Sequence, residues 1–168
     1  MTIVADRDYF FCEYCNSFAF PRPSSDGVVP LGEENDVPCP VCSAELVTAS
    51  VAGTRVLHCP GCRGILVSQE AFSLIVKLLR ARATGEPEPI RAVKREELKR
   101  EIVCPYCGQT MHTHPYYGPG TVVIDNCSDC GVVWLDPGEL AGIRDAPGRD
   151  RGRADLDDYS LIDILLGE

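Results

Sequence analysis

No stretch of the sequence stays apolar for the ~20 residues that a membrane-spanning helix needs. The N-terminal MTIVADRDYFF carries Asp6 and Asp8 where a secretory leader would carry a basic end and an apolar run. A membrane anchor and an exported, disulfide-built framework are therefore not expected, and the sequence reads as cytoplasmic with no membrane partner. Basic residues are scarce as well: 16 Lys and Arg against 25 Asp and Glu leave a net charge of −9. Such a chain repels a nucleic-acid backbone over most of its surface. Also missing are a Ser/His/Asp series, a glycine-rich phosphate loop and an open three-ligand metal site. No catalytic or organic-cofactor residue is assigned, and the expectation is that the protein is not an enzyme.

What the sequence has in quantity is cysteine, always in pairs. Its ten cysteines form five Cys-x-x-Cys units: Cys12/Cys15, Cys39/Cys42, Cys59/Cys62, Cys104/Cys107 and Cys127/Cys130. In a reducing compartment such pairs bind metal rather than each other. Units of about 30–40 residues bury little apolar surface and need such a staple. Setting Cys39 over Cys104 aligns CPVCSAELVTASVAGTRVLHCPGCRGILVSQEAF with CPYCGQTMHTHPYYGPGTVVIDNCSDCGVVWLDPGEL. Each copy opens on Cys-Pro-x-Cys, runs out and back along a hairpin, meets a second Cys-x-x-Cys and continues through apolar residues into a helix start. Sixteen residues separate Cys42 from Cys59 and nineteen separate Cys107 from Cys127, the difference fitting the longer turn in PYYGPG. Ala52-Gly53 is the turn of the first hairpin. A hairpin brings its ends together, so four sulfurs converge on one ion. Site 1 is Cys39, Cys42, Cys59 and Cys62; site 2 is Cys104, Cys107, Cys127 and Cys130. A closed four-cysteine site leaves no position for substrate, which argues against metal-assisted hydrolysis.

The CPxC opening, the short hairpin, the second CxxC and the ending CGVVWLDPGEL resemble the transcription factor IIB-type zinc ribbon family of small bacterial zinc-finger proteins. Cys104 to Leu140 matches closely. Cys39 to Phe72 matches more loosely, with RGILVSQEAF in place of the Trp-Leu-Asp-x-Gly-Glu-Leu form. The resemblance implies a small, metal-stapled α+β fold of two tandem ribbons, Zn²⁺ in each of two sites, and a structural or protein-interaction role, transcription-related if the family name applies. Two alternatives stay open. Paired CPxC knuckles also resemble rubredoxin, where iron carries electrons, and four thiolates do not by themselves select zinc over iron. A nucleic-acid-binding ribbon is the other, though a protein partner is favoured.

The domain reading follows the repeats. Residues 1–38 hold an N-terminal half-ribbon with Cys12/Cys15 and a loop; 39–82 are ribbon 1 plus a helix; 83–102 are a linker and a charged helix; 103–145 are ribbon 2 plus a short helix; 146–168 are a flexible linker and an acidic amphipathic tail. Phe72, Ile75, Val76 and Leu79 mark one face of the first helix. Ser68 is expected to cap it, with Asp136, Pro137 and Glu139 opening the second helix as a capping box. Arg91, Lys94, Arg95, Lys99 and Arg100 make a basic cluster, read as a solvated helix face. Trp134 is read as a core anchor. The residue after each knuckle needs a left-handed backbone, which Gly108, Gly131 and Asn16 adopt more easily than Ser43 and Arg63.

The fifth pair remains. YFFCEYCNSFAF lies over RVLHCPGCRGILV and IDNCSDCGVVWL, as a return knuckle whose first knuckle is absent. Three outcomes are open for Cys12 and Cys15: a third metal site completed by His112 and His114, a four-cysteine site shared by two chains in a homodimer, or a reduced pair without metal.

Overall fold

In the computed structural model, residues 2–4, 9–12, 14–15, 17–19, 23–89, 92–93 and 95–153 are described. The tail reading falls on 154–168, outside these residues. The first ten elements are β1 (Thr2–Val4), β2 (Tyr9–Cys12), β3 (Ser17–Ala19), β4 (Val28–Pro38), β5 (Glu45–Val51), β6 (Thr54–His58), β7 (Ile65–Ser68), α1 (Gln69–Ala81), β8 (His112–Pro115) and β9 (Val123–Cys127). They are followed by β10 (Val132–Leu135) and α2 (Glu139–Asp145).

The two ribbons are not separate beads. Ribbon 1 supplies β5, β6 and β7, ribbon 2 supplies β8, β9 and β10, and all join one seven-stranded sheet in the order β4-β5-β6-β7-β10-β9-β8. The seam is the antiparallel pair β7–β10, with Leu66 opposite Trp134 and Val67 opposite Val133. The apolar residues after each second knuckle are thus strands that find each other before the helices begin. Alternation explains why they read as unbroken apolar runs. Ile65, Val67, Val133 and Leu135 point into one core with Phe72, Ile75 and Val76 of α1 and Leu140 and Ile143 of α2. Leu66, Val132 and Trp134 point into a second core on the opposite face. A strand buried on both faces has no polar side to show.

Local rules account for the hairpins and caps inside each ribbon. Ala52 and Gly53 both take positive φ, at 52° and 84°, the two-residue turn whose twist suits a hairpin. The Ser68 side chain accepts from Ala71 N at 3.2 Å and caps α1 as expected.

Five expectations are corrected by long-range contacts. The loop assigned before Cys39 contains β4, an eleven-residue edge strand paired with β5 through two register shifts. Its Pro30, Gly32, Glu33 and Asp36 are residues that discourage further strand addition at an edge. The charged helix is reduced, among the described residues of 83–102, to a single 3₁₀ turn at Glu97–Lys99. Its Arg100 is no solvated cation: it pairs with both Asp125, which is fully buried, and Asp136. Asp136 does not cap α2 with its side chain, because its carboxylate already accepts from Trp134 Nε1 (3.0 Å) and Arg100. Pro137 sits ahead of the cap residue, Gly138, and the only part of the box that forms is Asp136 N donating to Glu139 Oε2 at 2.7 Å. The α2 start is instead held by Asp26, whose two oxygens accept from Gly138 N (2.8 Å) and Ala141 N (2.9 Å). Finally, the segment read as a flexible linker after residue 146 is tethered. Asp150 pairs with Arg80, and Gly152 N donates to Arg80 O at 2.9 Å.

Glu139 carries a testable consequence. Burial, only partly offset by the Asp136 N–H, raises its carboxyl from 4.5 to about 8. Between those values the folded protein holds a proton that the unfolded chain has released, so this contribution to stability is complete below pH 4.5 and is lost as pH rises through 8. Glu139→Gln removes the titration. The variant's stability advantage over the parent is expected to grow by about 2 kcal/mol from pH 6 to pH 8.5. Paired thermal melts at the two pH values measure it, and parallel behaviour would refute it.

Candidate metal centres

Each centre is built from two tight knuckles at one end of a hairpin. In ribbon 1, Cys39 N donates to Ala44 O (2.7 Å) and Ser43 N to Cys39 O (3.0 Å); Cys59 N donates to Gly64 O and Arg63 N to Cys59 O, both at 2.9 Å. Cys104 N to Gln109 O (2.8 Å) and Gly108 N to Cys104 O (2.9 Å) repeat the pattern in ribbon 2. These turns require a left-handed residue after the second cysteine. All four sites have one: Ser43 at φ 61°, Arg63 at 66°, Gly108 at 73° and Gly131 at 62°. Two side chains therefore sit where glycine is cheaper. Arg63→Gly is expected to stabilise the protein by about 1 kcal/mol, since Arg63 is exposed and loses little packing. Urea unfolding of the metal-loaded variant measures the gain, and a loss of stability would count against the turn argument.

The sulfurs converge as the spacing implies. Those of Cys39, Cys42, Cys59 and Cys62 lie within 4.8 Å of one another, and so do those of Cys104, Cys107, Cys127 and Cys130. Individual separations are 3.5 Å for Cys39–Cys62, 3.4 Å for Cys42–Cys59 and 3.6 Å for Cys107–Cys127. A disulfide would need about 2.05 Å. Tetrahedral thiolates at about 2.3 Å from a central ion stand about 3.8 Å apart, close to these values. The donor set therefore fits a zinc-type ion.

Burial grades the ligands identically in both centres. The first cysteine of each knuckle is buried, the second of the first knuckle is exposed, and the second of the return knuckle is half-buried. Backbone N–H groups point at the sulfurs: Val41 N and Cys42 N reach Cys39 Sγ at 3.4 and 3.5 Å, and Cys62 N reaches Cys59 Sγ at 3.4 Å. Thiol acidity splits accordingly. The Ala44 N–H, helped by Cys59, lowers Cys42 to about 7. The Gln109 N–H lowers Cys107. Burial raises Cys39 and Cys62, and the Cys107 thiol followed by burial pushes Cys130 up to about 12. Four neighbouring thiolates repel one another, and a bound divalent cation is what lets all four ionise together.

The two centres share a core. Cys39 and Cys59 of site 1 and Cys104 and Cys127 of site 2 belong to one apolar cluster with Leu46, Leu66, Ile102, Met111, Val132 and Trp134. Trp134, fully buried as an anchor should be, crosses the seam: a Cβ added at Gly64 would lie 2.1 Å from its Cζ2. Gln69 N, at the start of α1, donates to Gly131 O beside Cys130 at 2.8 Å. The return knuckle of each ribbon is therefore braced by the other ribbon. Neither brace has a sequence signal, because each joins residues more than sixty positions apart.

The histidines go elsewhere. His112 and His114 lie on one face of β8 with their rings tilted and centroids 5.0 Å apart, and His114 stacks on Tyr117 at 5.4 Å. His114 Nδ1 lies 2.8 Å from Pro115 O and Nε2 lies 2.9 Å from Asn126 Oδ1. Among the described residues, the groups of three or more Cys, His, Asp or Glu able to hold an ion are the two four-cysteine sets. Neither includes Cys15, His112 or His114. The side chain of Cys12 lies outside the described residues.

A family model described as "Transcription factor zinc-finger", the transcription factor IIB-type zinc ribbon, matches residues 38–76 and again residues 103–145. No curated protein and no solved structure matches the chain. The two matched segments, together just under half of the chain, coincide with the two hairpin-and-knuckle units and their four-sulfur groups, and each unit is similar to a zinc ribbon of the transcription factor IIB type with a four-cysteine group able to hold a metal ion.

Proposed function

We propose that this protein is a non-enzymatic, cytoplasmic zinc protein whose two ribbons form one rigid platform for a protein partner. The observation that carries the reading is the shared core: the inner ligands of both closed four-sulfur sites are buried in a single cluster across the β7–β10 seam. Ions placed there hold the sheet together and offer no open coordination position. The outer surface suits contact with protein. Val41 and Tyr106 occupy the same position in the two CPxC knuckles and are 51% and 53% exposed, with Val103 beside the second also 51% exposed. Exposed aromatic and aliphatic side chains of this kind are common anchors in protein interfaces.

Nucleic-acid binding is disfavoured by charge. Arg100 of the basic cluster is spent on two carboxylates. A concavity of about 780 Å³ beside α2 is lined by the acidic Glu88, Glu97, Asp136 and Asp145, with no Lys or Arg among its described lining residues. A rubredoxin-like iron role is disfavoured by the family match, which points to zinc.

Three measurements on the purified full chain test the reading. Metal analysis is expected to show zinc and a colourless protein; thiolate-to-iron absorption would establish the electron-carrier alternative. Retention on DNA or RNA at low salt, falling steeply with added salt, would establish the nucleic-acid alternative. A photo-cross-linker at position 106 is expected to give a discrete protein adduct in cells that Val41→Glu abolishes. An adduct unaffected by that change would place the interface elsewhere.

A further inference from the structure

We propose that Cys12 and Cys15 form the return knuckle of a third zinc site, completed by the same pair from a second copy of the chain. The first support is backbone register. Cys12 pairs with Ser17 and Cys127 with Val132, each five residues on, and Cys59 N bonds Gly64 O, again five residues on. The strand ahead of each knuckle pairs in the same way. Phe11, His58 and Asn126, each directly before the first cysteine, face Thr2, Val47 and His112. In the complete ribbons Val47 and His112 stand five residues after Cys42 and Cys107. The β1-β2-β3 sheet therefore has the register of the return half of a ribbon.

The second support is exposure. Cys62 and Cys130, which stand where Cys15 stands, are half-buried because a first knuckle covers them, whereas Cys15 is exposed. Tyr14 at the same tip is 99% exposed. Among the described residues, the tip where a first knuckle would sit is exposed at both Tyr14 and Cys15. The three-stranded sheet is also separate from the seven-stranded one, so the main sheet's hydrogen bonding does not compete for it.

The completing ligands are assigned to a second molecule because, among the described residues, the remaining cysteines of this one are already grouped. Eight cysteines are grouped in sites 1 and 2. His114 has both ring nitrogens engaged, and His58 is buried beside Cys59. Two copies related by a two-fold axis bring two Cys-x-x-Cys knuckles together as four sulfurs, the ligand set of the existing sites. Binding converts four thiols and one Zn²⁺ into a tetrathiolate with release of four protons, and no redox change is required.

The test is native mass spectrometry of the full chain under reductant, with zinc supplied. The expected species is a dimer carrying five zinc ions. Cys12→Ser/Cys15→Ser is expected to be a monomer carrying two, with a far-UV spectrum showing that both ribbons remain folded. Substituting ¹¹³Cd for zinc should give a third four-sulfur resonance at half the intensity of the other two, absent from the variant. A monomer with three ions would overturn the shared site, and two ions per chain in both proteins would overturn the third site altogether. A dimer that persists in the double variant would show that association does not depend on these thiols, which also defeats the proposal.

Discussion

Cys104→Ser, made in the Cys12→Ser/Cys15→Ser background so that only the ribbon sites are read, should weaken zinc binding at the intact site 1 by tenfold or more. Independent ribbons would leave site 1 untouched. Here the two centres share one apolar cluster, and Trp134 of ribbon 2 lies against Gly64, two residues beyond Cys62. Structural zinc in small domains contributes an apparent ~10–16 kcal/mol, as large as or larger than the ~5–15 kcal/mol of a typical domain, so loss of site 2 unfolds its ribbon. Ribbon 1 then loses the strand that covers β7, with Leu66 opposite Trp134 and Val67 opposite Val133. Site 1 must organise without that support, and its affinity falls by the free energy of the lost seam. A tenfold change corresponds to about 1.4 kcal/mol, a modest share of what burying a tryptophan and several branched side chains contributes. Competition with a chelator of known affinity, read by metal release and circular dichroism, makes the measurement. Unchanged affinity at site 1 would show that the seam carries no energy between the centres.

The second large effect is expected at Arg80. Its side chain is wholly buried, an unusual state for an arginine. Nη1 donates to the carbonyls of Ile143 (2.6 Å) and Ala146 (3.0 Å) at the end of α2. Nε and Nη2 grip Asp150 through both carboxylate oxygens at 2.5 and 2.8 Å. One guanidinium thus closes α2, ties it to α1 and fastens the following segment. Arg80→Ala removes a cation at the C-terminal end of a helix and leaves buried carbonyls unpaired. The expected loss is about 3–5 kcal/mol. Arg80→Lys is expected to recover only a minor part, because an ammonium cannot reproduce the fork that grips Asp150 while also reaching the carbonyls. Denaturant unfolding of the metal-loaded proteins gives the numbers, and hydrogen exchange should show residues 146–152 losing protection first. A loss below 1 kcal/mol would mean that the contacts are replaceable by water.

The limits of sequence reading fall along one line. Most of what is set by residues near each other in the chain was legible, the charged helix and the Asp136 cap excepted. Cys-x-x-Cys spacing specified the knuckles, Ala52-Gly53 specified a hairpin turn, Ser68 marked the start of α1, and the repeat paired Cys39/Cys42 with Cys59/Cys62 and Cys104/Cys107 with Cys127/Cys130. These features obey rules with a range of a few residues: backbone sterics, hydrogen bonding across a turn and the reach of a cap. The strands around Cys12 belong to the same class, because a strand, a turn and its return are themselves local.

What the tertiary structure decided is which distant groups meet. ILV and VVWL announced strands buried on two faces, but alternation identifies a face and not a neighbour, so nothing in either run named the other as its partner. Asp136 had every local qualification for a cap and lost that role to Asp26, because Trp134 and Arg100 had already engaged its oxygens. Arg80 and Arg100 had the sequence context of surface cations. Arg80 is buried and Arg100 half-buried because carbonyls and carboxylates of ribbon 2 and the segment after it offset the cost of desolvating them, and that compensation exists only once the chain has folded.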